Sequence, residues 1–136
     1  MERVKEITVF LANHPGALAA ITKTLGKRKI NILGFTLTNA LDHGALRMVV
    51  SKPTEALHLF GERNLLAIEG DVLMLRLDNV PGALARVAAS LAKGGVNIDY
   101  AYGSAGPKSG GATTLFLRVS DQAKAKRILK KQKGVS

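Results

Sequence analysis

The chain has 136 residues, of which 46% are hydrophobic, and it carries a formal net charge of +10 with no cysteine and no tryptophan. This composition is typical of a globular protein and excludes a disulfide framework. Because no apolar run approaches the roughly 20 residues that span a bilayer, and residues 1–6 lack the apolar core of a secretory signal, we expect a cytoplasmic protein with no membrane partner.

The first half of the chain is predicted to fold in the order βαββαβ. Its elements are strands at residues 7–11, 30–40, 45–51 and 65–68, a helix from Ala17, and a helix over about residues 53–63. The first strand ends at an Asn-His-Pro-Gly turn, and Pro15 suits the first helical turn, where its missing N–H breaks no bond. Residues 41–44, which include His43, are predicted to form a hairpin turn. Ser51 is predicted to cap the second helix, with His58 on that helix's exposed side.

The second half repeats this order up to its last strand. Its predicted elements are strands at residues 72–77, 96–102 and 113–119, a helix over about residues 83–93, and a final helix capped by Ser120 or Asp121. Only residues 134–136 follow Lys133, so the fourth strand is missing or vestigial and the protein would hold seven full strands. Another chain could pair with an edge left open there, so we expect a homo-oligomer, most simply a dimer.

The final helix carries much of the excess positive charge. Its basic residues are Lys124, Lys126, Arg127, Lys130, Lys131 and Lys133. Ala125, Ile128 and Leu129 form the opposite, apolar face of the same helix. A solvated helix face explains this charge better than a nucleic-acid partner does.

A short segment occurs twice. Residues 13–19, with the sequence Asn-His-Pro-Gly-Ala-Leu-Ala, recur at residues 79–85 with valine in place of histidine, and Pro15 and Pro81 are 66 positions apart. The match extends further at the same spacing, where Leu25, Lys27, Asn31 and Ile32 reappear as Leu91, Lys93, Asn97 and Ile98. The chain is therefore a tandem repeat, and we predict two domains at residues 1–70 and 71–136. No flexible linker separates them.

These repeated features resemble the ACT domain family, small βαββαβ modules that bind ligands and regulate amino-acid metabolism. The closer resemblance is to stand-alone proteins made of two tandem ACT domains. It implies an α+β protein of two ferredoxin-like units, each an antiparallel sheet with helices on one face. It also implies a regulatory protein that binds a free amino acid or similar effector and acts on a partner such as an amino-acid metabolic enzyme.

The resemblance also implies where the ligand binds. In ACT domains that bind amino acids, the ligand lies between the loop after the first strand and the start of the second strand, usually where two ACT units meet. Carried over to this sequence, the candidate ligand-binding residues are Asn13, His14, Pro15, Gly16 and Asn31 in the first repeat, and Asp78, Asn79, Pro81, Gly82 and Asn97 in the second.

The chemistry of these residue types suits a free amino acid. An asparagine side chain offers both a donor and an acceptor, and unpaired N–H groups at a helix start favour a carboxylate. Asp78 could attract an ammonium group, which Ala12 at the equivalent place cannot do. The two loops are therefore unequal, and we expect one site to be stronger. Structural roles stay open, because Asn-x-Pro-Gly is a common turn and Asn31 and Asn97 could simply bond the nearby backbone.

Other functions find less support in the sequence. The chain has no cysteine, its three histidines are scattered, and we find no metal-ligand cluster or nucleophile motif, so we expect no catalysis, metal or cofactor. Residues 103–111 lack the Walker pattern and are predicted to form a long hairpin loop that could close over a nearby pocket. The alternatives are a basic nucleic-acid-binding module, which the scarcity of aromatic residues disfavours, and a pure protein-interaction module on the same fold.

Overall fold

A computed structural model describes residues 1–40 and 43–136 of the chain. The elements are β1 (Glu2–Ala12), α1 (Ala17–Lys27), β2 (Ile32–Ala40), β3 (His43–Val50), α2 (Pro53–Glu62), β4 (Ala67–Asp78), α3 (Ala83–Lys93), β5 (Ile98–Ser104), β6 (Ala112–Val119) and α4 (Gln122–Leu129). The protein is α+β, as predicted. No helix in these ranges is long and apolar enough to cross a bilayer.

The chain divides into two compact units. The first unit comprises Lys5–Gly70, and the second comprises Asp71–Ser136 together with Met1–Val4. The predicted domains, 1–70 and 71–136, place residues 1–4 differently. Within the second unit the Arg3 guanidinium lies 2.5 Å from the Asp71 carboxylate, and Met1 packs against that unit's core.

In the first unit the strand order is β2-β3-β1-β4, and all described pairs are antiparallel. This is the ferredoxin-like order of the split βαβ motif. Alternating residues of β1 and β3 face α1 and α2, and the buried core includes Ile7, Val9, Leu11, Ile21, Leu25, Leu46, Met48, Ala56 and Phe60. Phe60 is the largest of the fully buried side chains. The core therefore lies between one face of the sheet and the two helices.

The second unit repeats this arrangement with the strand order β4-β6-β5. Its core residues come from the same positions of the repeat and include Leu73, Leu75, Leu77, Val87, Leu91, Leu115, Leu117, Ala125 and Leu129. The Asp121 carboxylate caps α4 by accepting a hydrogen bond from the Lys124 backbone N–H at 2.9 Å. That cap confirms one of the two predicted candidates.

The structure corrects the predicted strands. The strands expected at residues 65–68 and 72–77 are one continuous strand, β4, so the described residues form six strands where seven were predicted. Residues 69–71 belong to this strand, although a glycine such as Gly70 inside a strand weakens it and locally favours a break. β1 also begins at Glu2, five residues earlier than the predicted start at Ile7. Four of its first five residues are charged, namely Glu2, Arg3, Lys5 and Glu6, so a search for apolar runs does not detect this part of the strand.

The last strand of the second unit is vestigial, as predicted. Leu77 of β4 forms an isolated antiparallel bridge with Val135, and Arg76 and Ser136 exchange two backbone hydrogen bonds of 2.7 and 2.9 Å. The chain's own C terminus therefore occupies part of the edge that the sequence left open. Less of this edge is therefore open to another chain than the sequence predicted.

Ser51 does not cap α2, contrary to prediction. Lys52 is the N-cap residue and no side chain caps the helix. Ser51 Oγ instead accepts a hydrogen bond from the Asn31 N–H at 2.9 Å, and the Ser51 N–H donates to the Asn31 carbonyl at 2.9 Å. Ser120 and Asn97 form the same pair of bonds in the second unit, each at 3.0 Å. These bonds fasten the start of β2 and of β5 to the end of the neighbouring strand.

Candidate functional site

The repeated loops end at uncapped helix starts. α1 follows Gly16 and α3 follows Gly82, with φ angles of 89° and 82°, and no side chain caps either helix. Glycine suits both positions because other residues rarely adopt positive φ. The first helical bond of α1 runs from the Ala20 N–H to the Gly16 carbonyl at 3.0 Å. The N–H groups just before it have no acceptor within the helix, and the helix dipole makes this end attractive to an anion.

A cavity of about 340 Å³ opens at this end of α1 in the first unit. It is lined by the end of β1, the loop, the first turn of α1 and the end of β2, namely Leu11, Ala12, Asn13, His14, Gly16, Ala17, Leu18, Ala19, Leu37 and Asn39. Asn13, His14 and Asn39 supply its polar side chains. The cavity therefore combines a helix start, uncharged polar groups and an apolar wall.

Gly44 gives Asn39 access to this cavity. In the sheet register Gly44 of β3 lies between Leu11 of β1 and Asn39 of β2, so all three share the face that carries α1. A Cβ atom at Gly44 would lie 2.5 Å from Asn39 Oδ1 and 3.3 Å from Leu37 Cδ1. The missing side chain is what leaves room for the Asn39 amide.

The equivalent cavity in the second unit is smaller, about 210 Å³. Its lining includes Leu77, Asp78, Asn79, Val80, Ala83, Leu84, Gly103, Ser104, Ala105, Thr113, Thr114 and Leu115. Thr113 pairs with Leu77 in the position that Gly44 holds opposite Leu11, and its hydroxyl donates to the Ser104 carbonyl. A threonine side chain thus stands where Gly44 leaves room for the Asn39 amide in the first unit. The two cavities therefore differ in their lining side chains and in their volume.

The glycine-rich hairpin loop of the second unit is tied to Asn79. The Asn79 side-chain amide donates to the Lys108 carbonyl at 2.8 Å. The Asn79 backbone N–H donates to the Gly111 carbonyl at 3.1 Å, and its carbonyl accepts from the Gly110 N–H at 2.8 Å. The loop predicted at residues 103–111 therefore folds onto the repeated segment and contributes to the cavity wall.

Replacing Asn79 by alanine is expected to loosen this loop. The change removes the side-chain bond to Lys108, worth about 0.5–1.5 kcal/mol, and leaves the two backbone bonds in place. Hydrogen exchange at Gly110 should accelerate by up to about tenfold, because local opening becomes easier. Asn13→Ala in the first unit is the matched control and should leave Gly110 unchanged. Equal exchange in wild type and Asn79→Ala would show that the side chain does not hold the loop.

Asn31 and Asn97 do not line the cavities of their own units. Each follows the C-terminal end of an 11-residue helix whose N-terminal end borders the cavity, which separates the two ends by about 16 Å. Both side chains are exposed, and the Asn97 amide donates to the Asp99 carboxylate at 2.8 Å. Within one unit, the structure does not bring these residues together with the Asn-x-Pro-Gly loop.

The other residues singled out in the sequence lie in a cavity wall, in the turns or in a strand. Gly16 lines the first cavity, whereas Pro15, Pro81 and Gly82 shape the turns outside the cavity linings. The His14 ring donates from Nδ1 to the Pro15 carbonyl at 3.0 Å. His43 is the first residue of β3 and not a turn residue, while residues 41 and 42 of the predicted turn lie outside the described part of the chain.

His58 lies on the exposed side of α2, as predicted, 3.3 Å from the Glu62 carboxylate. In residues 1–40 and 43–136, no three histidine, aspartate or glutamate side chains gather as a metal site would require.

The sequence patterns did not predict Asn39 and Leu37 in the first cavity or residues 113–114 in the second, whereas the loop at residues 103–111 was predicted to lie near a pocket. The unpredicted residues lie far along the chain from the repeated segment and reach it only through strand pairing. One signal was present, because Gly44 lies within a strand, and glycine in a strand often marks a close approach of other groups.

The sequence matches a known protein family. The profile of a family described as an ACT domain pair matches residues 2–135. The chain belongs to the ACT domain pair family. Its two units, each with ferredoxin-like strand order and a Pro-Gly turn before its first helix, are the two ACT domains. No curated protein matches the sequence.

Solved structures share the fold over nearly the whole chain. Protein BT0572 from Bacteroides thetaiotaomicron is 31% identical, with a TM-score of 0.89 over 98% of this chain and 92% of that one. The ligand-free regulatory subunit of aspartate kinase from Thermus thermophilus is 17% identical, with a TM-score of 0.71 over 96% of this chain and 97% of that one. The regulatory subunit from Thermus flavus is 16% identical, with a TM-score of 0.63 over 96% and 92%.

Proposed function

We propose that this ACT domain pair binds a free amino acid, or a similarly small zwitterion, in the cavity of its first unit. The single observation that carries the proposal is the 340 Å³ cavity at the uncapped start of α1, with Asn13 and Asn39 on its wall. That volume falls in the range of about 300–1,000 Å³ that is usual for small-molecule sites. The 210 Å³ cavity of the second unit falls below it.

The ligand's carboxylate is assigned to the N–H groups of Leu18 and Ala19. These amides precede the first helical bond of α1, and both residues line the cavity. Hydrogen bonds to a charged group are the stronger kind, and the helix dipole adds to them. Gly16 supports this approach because it places no side chain in front of the helix start.

The ammonium group and side chain of the ligand are assigned to the rest of the wall. The amide oxygens of Asn13 and Asn39 are acceptors that suit an ammonium group. Leu11, Leu18 and Leu37 form an apolar surface for an aliphatic side chain. An uncharged polar set of this kind favours a zwitterion over a simple anion, because it binds both ends of the molecule without carrying a net charge.

The second cavity is proposed as the weaker site. Thr113 occupies the place of Gly44, and the Asn79 side chain is engaged with the Lys108 carbonyl. The Asp78 carboxylate lies close to Gly134, since a Cβ atom added to Gly134 would be 2.8 Å from Asp78 Oδ2. The smaller volume, with Thr113 at the Gly44 position, leaves less room for a ligand there.

The output is proposed to be regulatory and not catalytic. The cavity offers backbone amides, two asparagines and a histidine, and it lacks the arrangement of a nucleophile beside a base that catalysis needs. The aspartate kinase regulatory subunits of Thermus thermophilus and Thermus flavus span nearly the same length as this chain. They support the view that such a pair acts on a separate amino-acid metabolic enzyme, through a preference of the ligand for one arrangement of the complex.

A thermal-shift screen of the twenty amino acids, followed by calorimetry of those that stabilise, tests the proposal. A true ligand at 100 times its Kd stabilises by about 2.7 kcal/mol. Gly44→Thr should weaken the interaction by at least about tenfold, because its side chain displaces Asn39, whereas Thr113→Gly in the second unit should not weaken it. If none of the twenty amino acids stabilises the protein, and it binds RNA or DNA tightly and in a salt-sensitive way, the proposal is overturned in favour of a nucleic-acid-binding module.

A further inference from the structure

The helix layer of the second unit carries positive charge with no acid to balance it. α3 and α4, with the residues that directly follow them, span residues 83–97 and 122–136, and neither stretch contains an aspartate or a glutamate. Their basic residues are Arg86, Lys93, Lys124, Lys126, Arg127, Lys130, Lys131 and Lys133. Lys126 is half-buried and the other seven are exposed. These eight residues are called the α3–α4 basic surface.

The two helices bring their charges together because they pack side by side. Ser90 Oγ of α3 donates to Gln132 Oε1 at 2.5 Å. Gly94, at the end of α3, lies so close to Ile128 of α4 that an added Cβ atom would overlap the Ile128 side chain. Because the later residue of α3 meets the earlier residue of α4, the helices run antiparallel.

One row of cations on α4 adjoins the end of α3. Lys124, Arg127 and Lys131 follow one another at spacings of three and four residues, which places them on the same side of the helix. Ile128, which contacts α3, is four residues from Lys124 and three from Lys131, so it neighbours this row. Lys93 in the last turn of α3 therefore lies beside the same row.

The fold does not require this charge. When α4 is aligned with α2 on their fully buried residues, Lys124 and Lys131 stand where α2 carries Glu55 and Glu62. α2 thus mixes both signs, as a surface that contacts only water usually does. The sequence of α4 alone favours a solvated face, but repulsion among eight neighbouring cations destabilises the folded unit. A solvated face has no need of that repulsion, whereas an anionic partner relieves it.

We propose that the α3–α4 basic surface binds the sugar-phosphate backbone of double-stranded nucleic acid without reading its sequence. Such binding needs several cations close together, and it is favoured by release of the counterions that the duplex holds. The exposed residues between the cations include Ala85, Ala89, Ala92 and Ala123, and neither helix has an aromatic residue. Base stacking and base-edge contacts therefore have no side chains to make them, while backbone contact needs only the cations.

An acidic protein or an anionic membrane fits this surface less well. Stable protein interfaces are anchored by aromatic, large apolar and arginine side chains and are poor in lysine, whereas six of these eight cations are lysine. A helix that binds membranes places its apolar face among the lipids, but Ala125 and Leu129 of α4 are fully buried in the core. Because the surface belongs to the second unit and the proposed amino-acid cavity to the first, the two functions are independent.

Fluorescence anisotropy of a labelled, mixed-sequence DNA duplex of about 20 base pairs, titrated with the full chain at several salt concentrations, tests the proposal. A site with about five phosphate contacts gives a slope of about −4.5 when the logarithm of the association constant is plotted against the logarithm of the salt concentration. The Kd should lie at about 1–100 µM at physiological salt and be the same for a duplex of unrelated sequence. Wild type that shows no salt-dependent binding of the duplex would overturn the proposal.

Matched variants locate the site. Replacing all of Lys124, Arg127 and Lys131 by glutamine should weaken binding by at least about tenfold and reduce the slope by about 2.7. The control replaces three exposed cations of the first unit by glutamine, which removes the same charge and should weaken binding less than about threefold; these are Lys23, Lys27 and Arg28. Both variants should keep the wild-type circular dichroism. Equal losses in the two variants, or tighter binding of polyglutamate or phosphatidylserine vesicles than of the duplex at equal salt, would refute the assignment.

Discussion

Replacing Phe60 by alanine is expected to lower the free energy of unfolding of the first unit by about 3–5 kcal/mol. Phe60 is completely buried, and its ring packs in the core between α1, α2 and the sheet. The truncation removes apolar contacts and leaves a cavity that the neighbouring strands cannot fill. Hydrogen exchange of the slowest amides of β1 and β3 measures the effect, because these exchange through opening of the unit's core.

The second unit offers a matched control. Ala125 and Leu129 of α4 have the same four-residue spacing as Ala56 and Phe60 of α2, and all four are fully buried. Leu129→Ala should cost about 2–5 kcal/mol and act mainly on amides of β4 and β6. A Phe60→Ala protein that loses less than about 1 kcal/mol would show that the ring is not a core residue.

Replacing Ala19 by proline is expected to reduce amino-acid affinity about ten- to a hundredfold. The substitution removes the Ala19 N–H, which is assigned to the ligand's carboxylate, and a hydrogen bond to a charged group contributes about 1.5–3 kcal/mol. Proline is tolerated in the first turn of a helix because the N–H there has no helical partner, so α1 should remain folded. Calorimetric titration with the amino acid found by the screen gives the change in Kd.

Ala85→Pro at the equivalent position of α3 is the control for this change. If the first cavity is the stronger site, Ala85→Pro leaves the high-affinity binding unaltered. Both variants should keep the wild-type circular dichroism. Unchanged affinity in Ala19→Pro, or a larger loss in Ala85→Pro, would move the binding site away from the start of α1.

The helix starts were the most predictable part of the fold. α1 begins at Ala17 and α3 at Ala83, as the Pro-Gly turns and the spacing of Leu18, Ile21 and Leu25 indicate. Those signals are local, since they depend on backbone angles and on one helical face. The repeat strengthened them because it supplied the same pattern twice.

The features that were not predicted depend on contacts between distant parts of the chain. β4 continues through Gly70, although the local sequence favours a break there. Ser51 resembles a helix cap, but its hydroxyl accepts from Asn31, 20 residues earlier. Asn39 enters the candidate site only because the register places Gly44 between it and Leu11. No local sequence pattern predicts this pairing of β1, β3 and β2.

The most direct test of the central proposal is a nuclear magnetic resonance titration of the ¹⁵N-labelled protein with free amino acids, following the backbone amides of the two helix starts. If the amino acid's carboxylate binds at α1, the amides of Leu18 and Ala19 should show the largest shifts, and those of Leu84 and Ala85 smaller ones at higher concentration. An amino acid that binds without moving the Leu18 and Ala19 resonances would contradict the proposed site.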